Sequence, residues 1–154
     1  MNVLKIVAVG KVKEKFLTEG ILEYSKRINA FDKFQITEVK EFNQKDIKRN
    51  MQDEAKAILQ EITDKDFVIT LEIKGKTLSS EELADEITKI KNYHSTSLVF
   101  VIGGSNGLDQ EVINRSNFHL SFSKMTFPHQ LMRLILVEQI YRAFTIINNQ
   151  EYHK

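Results

Sequence analysis

The sequence predicts a single α/β domain built on a mainly parallel sheet with helices on both faces. Two observations carry that expectation. Short β-rich apolar runs alternate with longer stretches of helical period along all 154 residues, the pattern of parallel strands joined by helical crossovers. No repeat, low-complexity tract or Pro/Gly/Ser linker divides the chain, and its length suits one core that needs no staple.

The first strand is expected at about Val3–Val9, where Lys5 interrupts an apolar run too short for a signal peptide or a membrane span, and Gly10 ends it. A helix at Lys15–Ile28, a strand at Phe34–Val39, a helix at Asp46–Ile62 and a strand at Phe67–Glu72 follow. Ser79 or Ser80, with Glu82 or Leu83 three residues on, has the form of a helix cap and opens a helix at Ser80–Lys91. The strand Leu98–Ile102 runs into a glycine-rich turn and a short helix, Asp109–Asn114. Phe118–Phe122 closes the strand series. The last helix, Pro128–Ile147, holds the only proline of the chain in its first turn, where a missing N–H costs nothing.

Composition narrows the function. There is no cysteine, which excludes disulfides, thiol catalysis and cysteine-based zinc sites, and fits the reducing cytoplasm. A net charge of +1 argues against gripping nucleic acid by bulk electrostatics. The distribution is uneven, however. From Arg115 onward the cations Arg115, Lys124, Arg133, Arg142 and Lys154 face only Glu138 and Glu151, and Lys11, Lys13 and Lys15 form a second basic cluster after the first strand. Each is read either as a solvated surface or as a contact for an anionic partner. His-Glu-x-x-His, Gly-x-Ser-x-Gly and EF-hand patterns are absent, so metal-assisted hydrolysis has no support.

Ligands of such sheets collect on the loops at the carboxyl ends of the strands. Three loops qualify: LEIKGKT from Leu71, IGGSNG from Ile102, and SFSKMTF from Ser121. The glycines match neither a dinucleotide fingerprint nor a phosphate loop. They are read as a tight turn or as backbone that a ligand approaches closely.

The last helix is apolar nearly all round, from Leu131 to Ile147, so it is either sunk in the core or shared with a second copy; a homodimer is the expectation. Glu138 and Arg142 have the spacing of a helix ion pair and need no functional story. Arg133 shares a face with Val137, Ile140 and Phe144. It therefore pairs, snorkels, or contacts a phosphate or substrate. His129 is a candidate proton acceptor or a surface residue. The terminal Tyr152-His153-Lys154 is either a frayed end or a group suited to stacking on a base and holding a phosphate.

Leu71-Glu72 with Gly75-Lys76, FVIGGSNGL (Phe100–Leu108), LSFSKMTFPHQLMR (Leu120–Arg133), EQIYRAF (Glu138–Phe144) and the terminal YHK together resemble the large-subunit ribosomal RNA methyltransferase H family, within the SPOUT superfamily of knotted methyltransferases. The resemblance spans the chain from AVGK at Ala8–Lys11 to the end; Lys40–Arg49 and Glu151 carry no motif. It implies one domain over residues 1–154 with a trefoil knot within about 98–154, and an obligate homodimer. S-adenosylmethionine would be the methyl donor, with no metal, held by Leu71, Gly103, Gly104, Phe122, Ser123, Lys124, Met125, Thr126 and Phe127. The implied substrate is N3 of a pseudouridine in helix 69 of 23S rRNA on the 70S ribosome. His129, Arg133, Arg142, Tyr152 and His153 are the implied substrate-side residues, which remove the N3 proton or stabilise the anion, with the individual roles unassigned.

Overall fold

The computed structural model describes residues 2–94 and 96–154. Five strands, β1 (Leu4–Val9), β2 (Phe34–Val39), β3 (Phe67–Thr77), β4 (Leu98–Ile102) and β5 (Phe118–Ser121), alternate with five helices, α1 (Lys15–Asn29), α2 (Ile47–Gln60), α3 (Ser80–His94), α4 (Gln110–Arg115) and α5 (His129–Ile147). All strand pairs are parallel, in the order β2-β1-β4-β3-β5. Side-chain alternation divides the interior into two layers. Ile6, Ala8, Phe100 and Ile102 point to one face, where α1, α3 and α5 cover them. Val7, Val9, Val99 and Val101 point to the other, against Ala55 and Ile58 of α2 and Val112 of α4. The central strand β4 is buried at every position, so its carboxyl end opens onto whatever lies above the sheet.

Local chemistry explains the helix starts. Asp46 Oδ1 accepts from Arg49 N, and Asp109 Oδ2 from Glu111 N, capping α2 and α4. Ser79 and Glu82 form the reciprocal box anticipated for α3: Glu82 N donates to Ser79 Oγ, and Ser79 N to Glu82 Oε1. Pro128 stands at the cap of α5 rather than inside its first turn, where its missing N–H is equally harmless.

One expectation changes, and one open choice closes. The segment from Ile73 to Thr77, expected as a loop after a strand ending at Glu72, continues β3. Leu71 and Lys76 both register against Leu120, so residues 72–75 bulge out between them. Gly75 permits this, because a Cβ there would lie 2.8 Å from the carbonyl carbon and oxygen of His119. The broad apolar surface of α5 is also largely satisfied within the chain. It packs against α1, α3 and the sheet, burying Leu136, Val137, Ile140, Ala143 and Phe144. A second copy is not needed to account for those residues.

Candidate active site

The middle of β3, at Leu71–Ile73, and the segments that follow β4 and β5 converge on one cleft of about 550 Å³. Leu71, Ile102, Leu120, Phe122 and Phe127 give it apolar walls, while Ser105, Asn106, Ser121, Ser123 and Thr126 add polar groups. All three segments singled out in the sequence therefore meet. Of the nine residues expected around a cofactor, eight line the cleft; Lys124 is exposed outside it. Ile73, Gly107, Leu108 and Met132 also line it and carried no individual signal in the sequence. Among the described residues, the only titratable side chains of the lining are Glu72 and His129. Glu72 is engaged: its carboxylate accepts from Thr70 Oγ1 at 2.5 Å and pairs with the His119 ring. Among the described residues, its lining holds no Lys or Arg.

The glycines are required for a reason other than ligand approach. A Cβ on Gly103 would sit 2.8 Å from Gly107 C and 2.9 Å from Gly107 O; on Gly104 it would sit 2.9 Å from Glu41 Oε2 and 3.0 Å from Val9 Cγ1. Both missing side chains face protein. They let the loop fold on itself, with Gly107 N donating to Gly104 O at 3.1 Å, and this closure leaves the loop backbone as cleft wall. Behind it, Glu54 is 3 % exposed and accepts from Phe42 N, while its other oxygen has no partner. Burial pushes the Glu54 carboxyl up, the Phe42 N–H opposes this, and Glu41 adds to it.

Arg133 lies elsewhere. At 2 % exposure it pairs with Glu38 and donates from Nη2 to the carbonyl of Gly10 at 2.9 Å, so it ties α5 to the end of β1 rather than reaching into the cleft. His129 does line the cleft, at the start of the same helix.

Arg142, Tyr152 and His153 form a separate cluster, and the tail is docked rather than frayed. Arg142 bonds Glu138 at 2.9 Å and His153 Nδ1 at 3.1 Å, and its guanidinium lies 4.7 Å from the centre of the Tyr152 ring. Tyr152 donates to Glu138 Oε2 at 2.8 Å and stands edge-on to Tyr141, and His153 reaches Glu81 of α3. Burial first, then bonding to Tyr24 and Glu138, pushes the Tyr152 phenol far up, so it remains a hydroxyl at neutral pH. Glu138, taken in the sequence as half of an ordinary helix pair, is the hub of this cluster. Arg142 lies thirteen helical steps beyond His129, about 20 Å at ~1.5 Å per residue. Within one chain, cleft and tail cluster stand apart.

A parallel sheet with a cleft walled by the bulged strand β3 and by the loops that follow β4 and β5 has the form of a ligand-binding α/β enzyme. Residues 1–153 match the family described as "Predicted SPOUT methyltransferase", and the chain belongs to that family of methyltransferases. It is 51 % identical over 160 aligned residues, covering all of both chains, to the ribosomal RNA large subunit methyltransferase H of Pediococcus pentosaceus. It is 49 % identical over 157 residues to the protein of that name from Carboxydothermus hydrogenoformans, covering 98 % of this chain and 99 % of the relative. A solved probable methylase family protein from Haemophilus influenzae Rd KW20 superposes with a TM-score of 0.59 over 99 % of this chain and 71 % of that one. At 14 % identity, that likeness is one of fold.

Proposed function

We propose that the protein methylates large-subunit ribosomal RNA, using S-adenosylmethionine bound in the cleft, at N3 of a pseudouridine in helix 69 of 23S rRNA on the 70S ribosome. The observation that carries this reading is the meeting of the three resemblance-bearing segments on a single cleft, in a chain that aligns end to end with relatives named for ribosomal RNA methylation. The residues fit the cofactor: an aromatic base suits the walls of Leu71, Ile102, Leu120 and Phe127, and its polar edges suit loop backbone and hydroxyl groups. When bound, S-adenosylmethionine supplies an electrophilic methyl group on its sulfonium.

The protein's part is to bind, orient and manage one proton. Gly103–Gly107 and Phe122–Phe127 hold the donor in register with the attacking nitrogen, an effect of order ~7–11 kcal/mol in favourable cases. The N3 proton must leave and the resulting charge must be met. Among the described residues the lining holds no Lys or Arg to meet it, whereas Arg142, with the hydroxyl donor Tyr152 beside it, stands far along the same helix. We therefore infer a homodimer in which the tail cluster of one subunit completes the cleft of the other, on the trefoil-knotted framework of the family. Phe16 and Leu22, exposed on α1 alongside α5, offer apolar surface for that contact. Such an enzyme works in the cytoplasm, where its substrate is.

Calorimetry tests the cofactor assignment. Saturable binding of S-adenosylmethionine is expected, and no binding at millimolar ligand, with or without 70S ribosomes, overturns it.

A further inference from the structure

We propose that the β1–α1 loop docks the phosphate backbone of the substrate RNA beside the cleft, with Lys11 and Lys13 as the contacts. The inference rests on the ribosomal RNA reading above and adds where that RNA lies. A polyanion whose reactive base enters the cleft needs counter-charges at the rim, because the described lining holds no Lys or Arg.

The β1–α1 loop supplies them from a fixed base. Arg133 Nη2 holds its start through the Gly10 carbonyl, at a residue whose φ is +86°. Gln130 Oε1 accepts from Lys13 N at 3.0 Å and holds its end. Both clamps come from the first two turns of α5, and Gln130 adjoins His129 on the cleft wall. The backbone is thus pinned to the site while the side chains of Lys11 and Lys13 are exposed. Neither ammonium has a carboxylate partner among the described residues, whereas Lys15 faces Glu19 at 3.8 Å. Of the acids nearby, Glu38 is already paired with Arg133, Glu41 packs behind Gly10 and Gly104, and Glu14 is exposed at the end of the loop. Two unpaired lysines on a rigid mount, beside a cleft whose described lining holds no Lys or Arg, position a phosphate chain without reading its sequence.

The test compares wild type, K11Q/K13Q and the control K26Q/K65Q, which removes the same charge from exposed lysines near the other end of the sheet. Methyl transfer to unmethylated 70S ribosomes is measured from about 0.05 to 0.2 M salt, with S-adenosylmethionine affinity by calorimetry. At ~0.7 salt-slope units per phosphate contact on single-stranded RNA, two lost contacts should raise the ribosome KM about 25-fold at ~0.1 M salt and flatten its salt slope by about 1.4. The kcat and cofactor affinity should stay at wild-type values, and the control should behave as wild type. Equal KM and slope in K11Q/K13Q and the control overturn the docking loop while leaving the methyltransferase reading intact. A changed sedimentation profile in K11Q/K13Q also overturns it, by assigning the lysines to a subunit contact. Wild-type protein that binds the cofactor but methylates no ribosomal RNA overturns the reading beneath the proposal, and the proposal with it.

Discussion

Gly103→Ala is the sharpest single perturbation of the cleft. The new methyl carbon would lie 2.8 Å from the carbonyl carbon of Gly107, against a backbone that has no rotamer to change. Comfortable carbon contacts begin near ~3.5 Å, so the loop must move by about 0.7 Å. Overpacking of this kind costs ~1–3 kcal/mol, which for a domain of this size lowers Tm by roughly 2–12 °C. A shift of that size stretches a ~2.9 Å hydrogen bond beyond useful length. If two loop-to-ligand bonds are lost, at ~0.5–1.5 kcal/mol each, S-adenosylmethionine affinity falls roughly 5- to 150-fold. Gly107→Ala is the matched comparison. Its φ of +78° imposes a strain of ~1–2 kcal/mol, but its Cβ would meet nothing within 4 Å, so the loop should keep its shape and its affinity. Thermal unfolding and calorimetry on both variants read the two effects separately. Full affinity in Gly103→Ala, with affinity lost in Gly107→Ala, would refute the argument that loop self-packing shapes the cleft wall.

Three further outcomes are expected. Arg133→Met should destabilise the fold by about 2–4 kcal/mol in denaturant titration, because it strips a donor from the Gly10 carbonyl and the partner from Glu38; a neutral result would show that the buried guanidinium ties nothing together. Glu54→Gln should raise stability at neutral pH, since the amide takes the place of a carboxyl whose folded pKa is raised above its ordinary 4.5. Below 4.5 both folded and unfolded carboxyls are protonated and wild type keeps its full stability; as pH rises through the folded value that stability is lost, so the gain must grow with pH, and a gain independent of pH contradicts the assignment. Deleting Tyr152–Lys154 should abolish most methyl transfer while leaving S-adenosylmethionine affinity nearly unchanged, since the tail bonds Glu138, Arg142 and Glu81 rather than the cleft; reduced cofactor affinity would place the tail in the cleft wall.

Every strand and helix was legible because each carries a period or a cap: the apolar run of β4, the Ser79–Glu82 box, the aspartate caps. The extension of β3 was not, because Lys74-Gly75-Lys76 reads as a turn and only its contact with β5 keeps it extended. The cleft was legible as three loops at strand ends. The reason for its glycines was hidden, since a sequence cannot say which neighbour occupies the space beside a missing Cβ. Arg133 and Glu138 show the same limit from two sides. A cation on an apolar face left pairing, snorkelling and a ligand contact open and proved to be paired with Glu38 and bonded to main-chain carbonyls, while an unremarkable i, i+4 pair proved to anchor the tail. Both outcomes depend on partners more than ten residues away along the chain.

The proposed reaction is read out by incubating the protein with S-adenosylmethionine carrying a labelled methyl group and 70S ribosomes from a strain that lacks this protein, then mapping the label by mass spectrometry of rRNA fragments. One labelled N3-methylpseudouridine is expected, in the helix 69 loop of 23S rRNA. Unlabelled 23S rRNA, or label confined to another nucleotide, would contradict it.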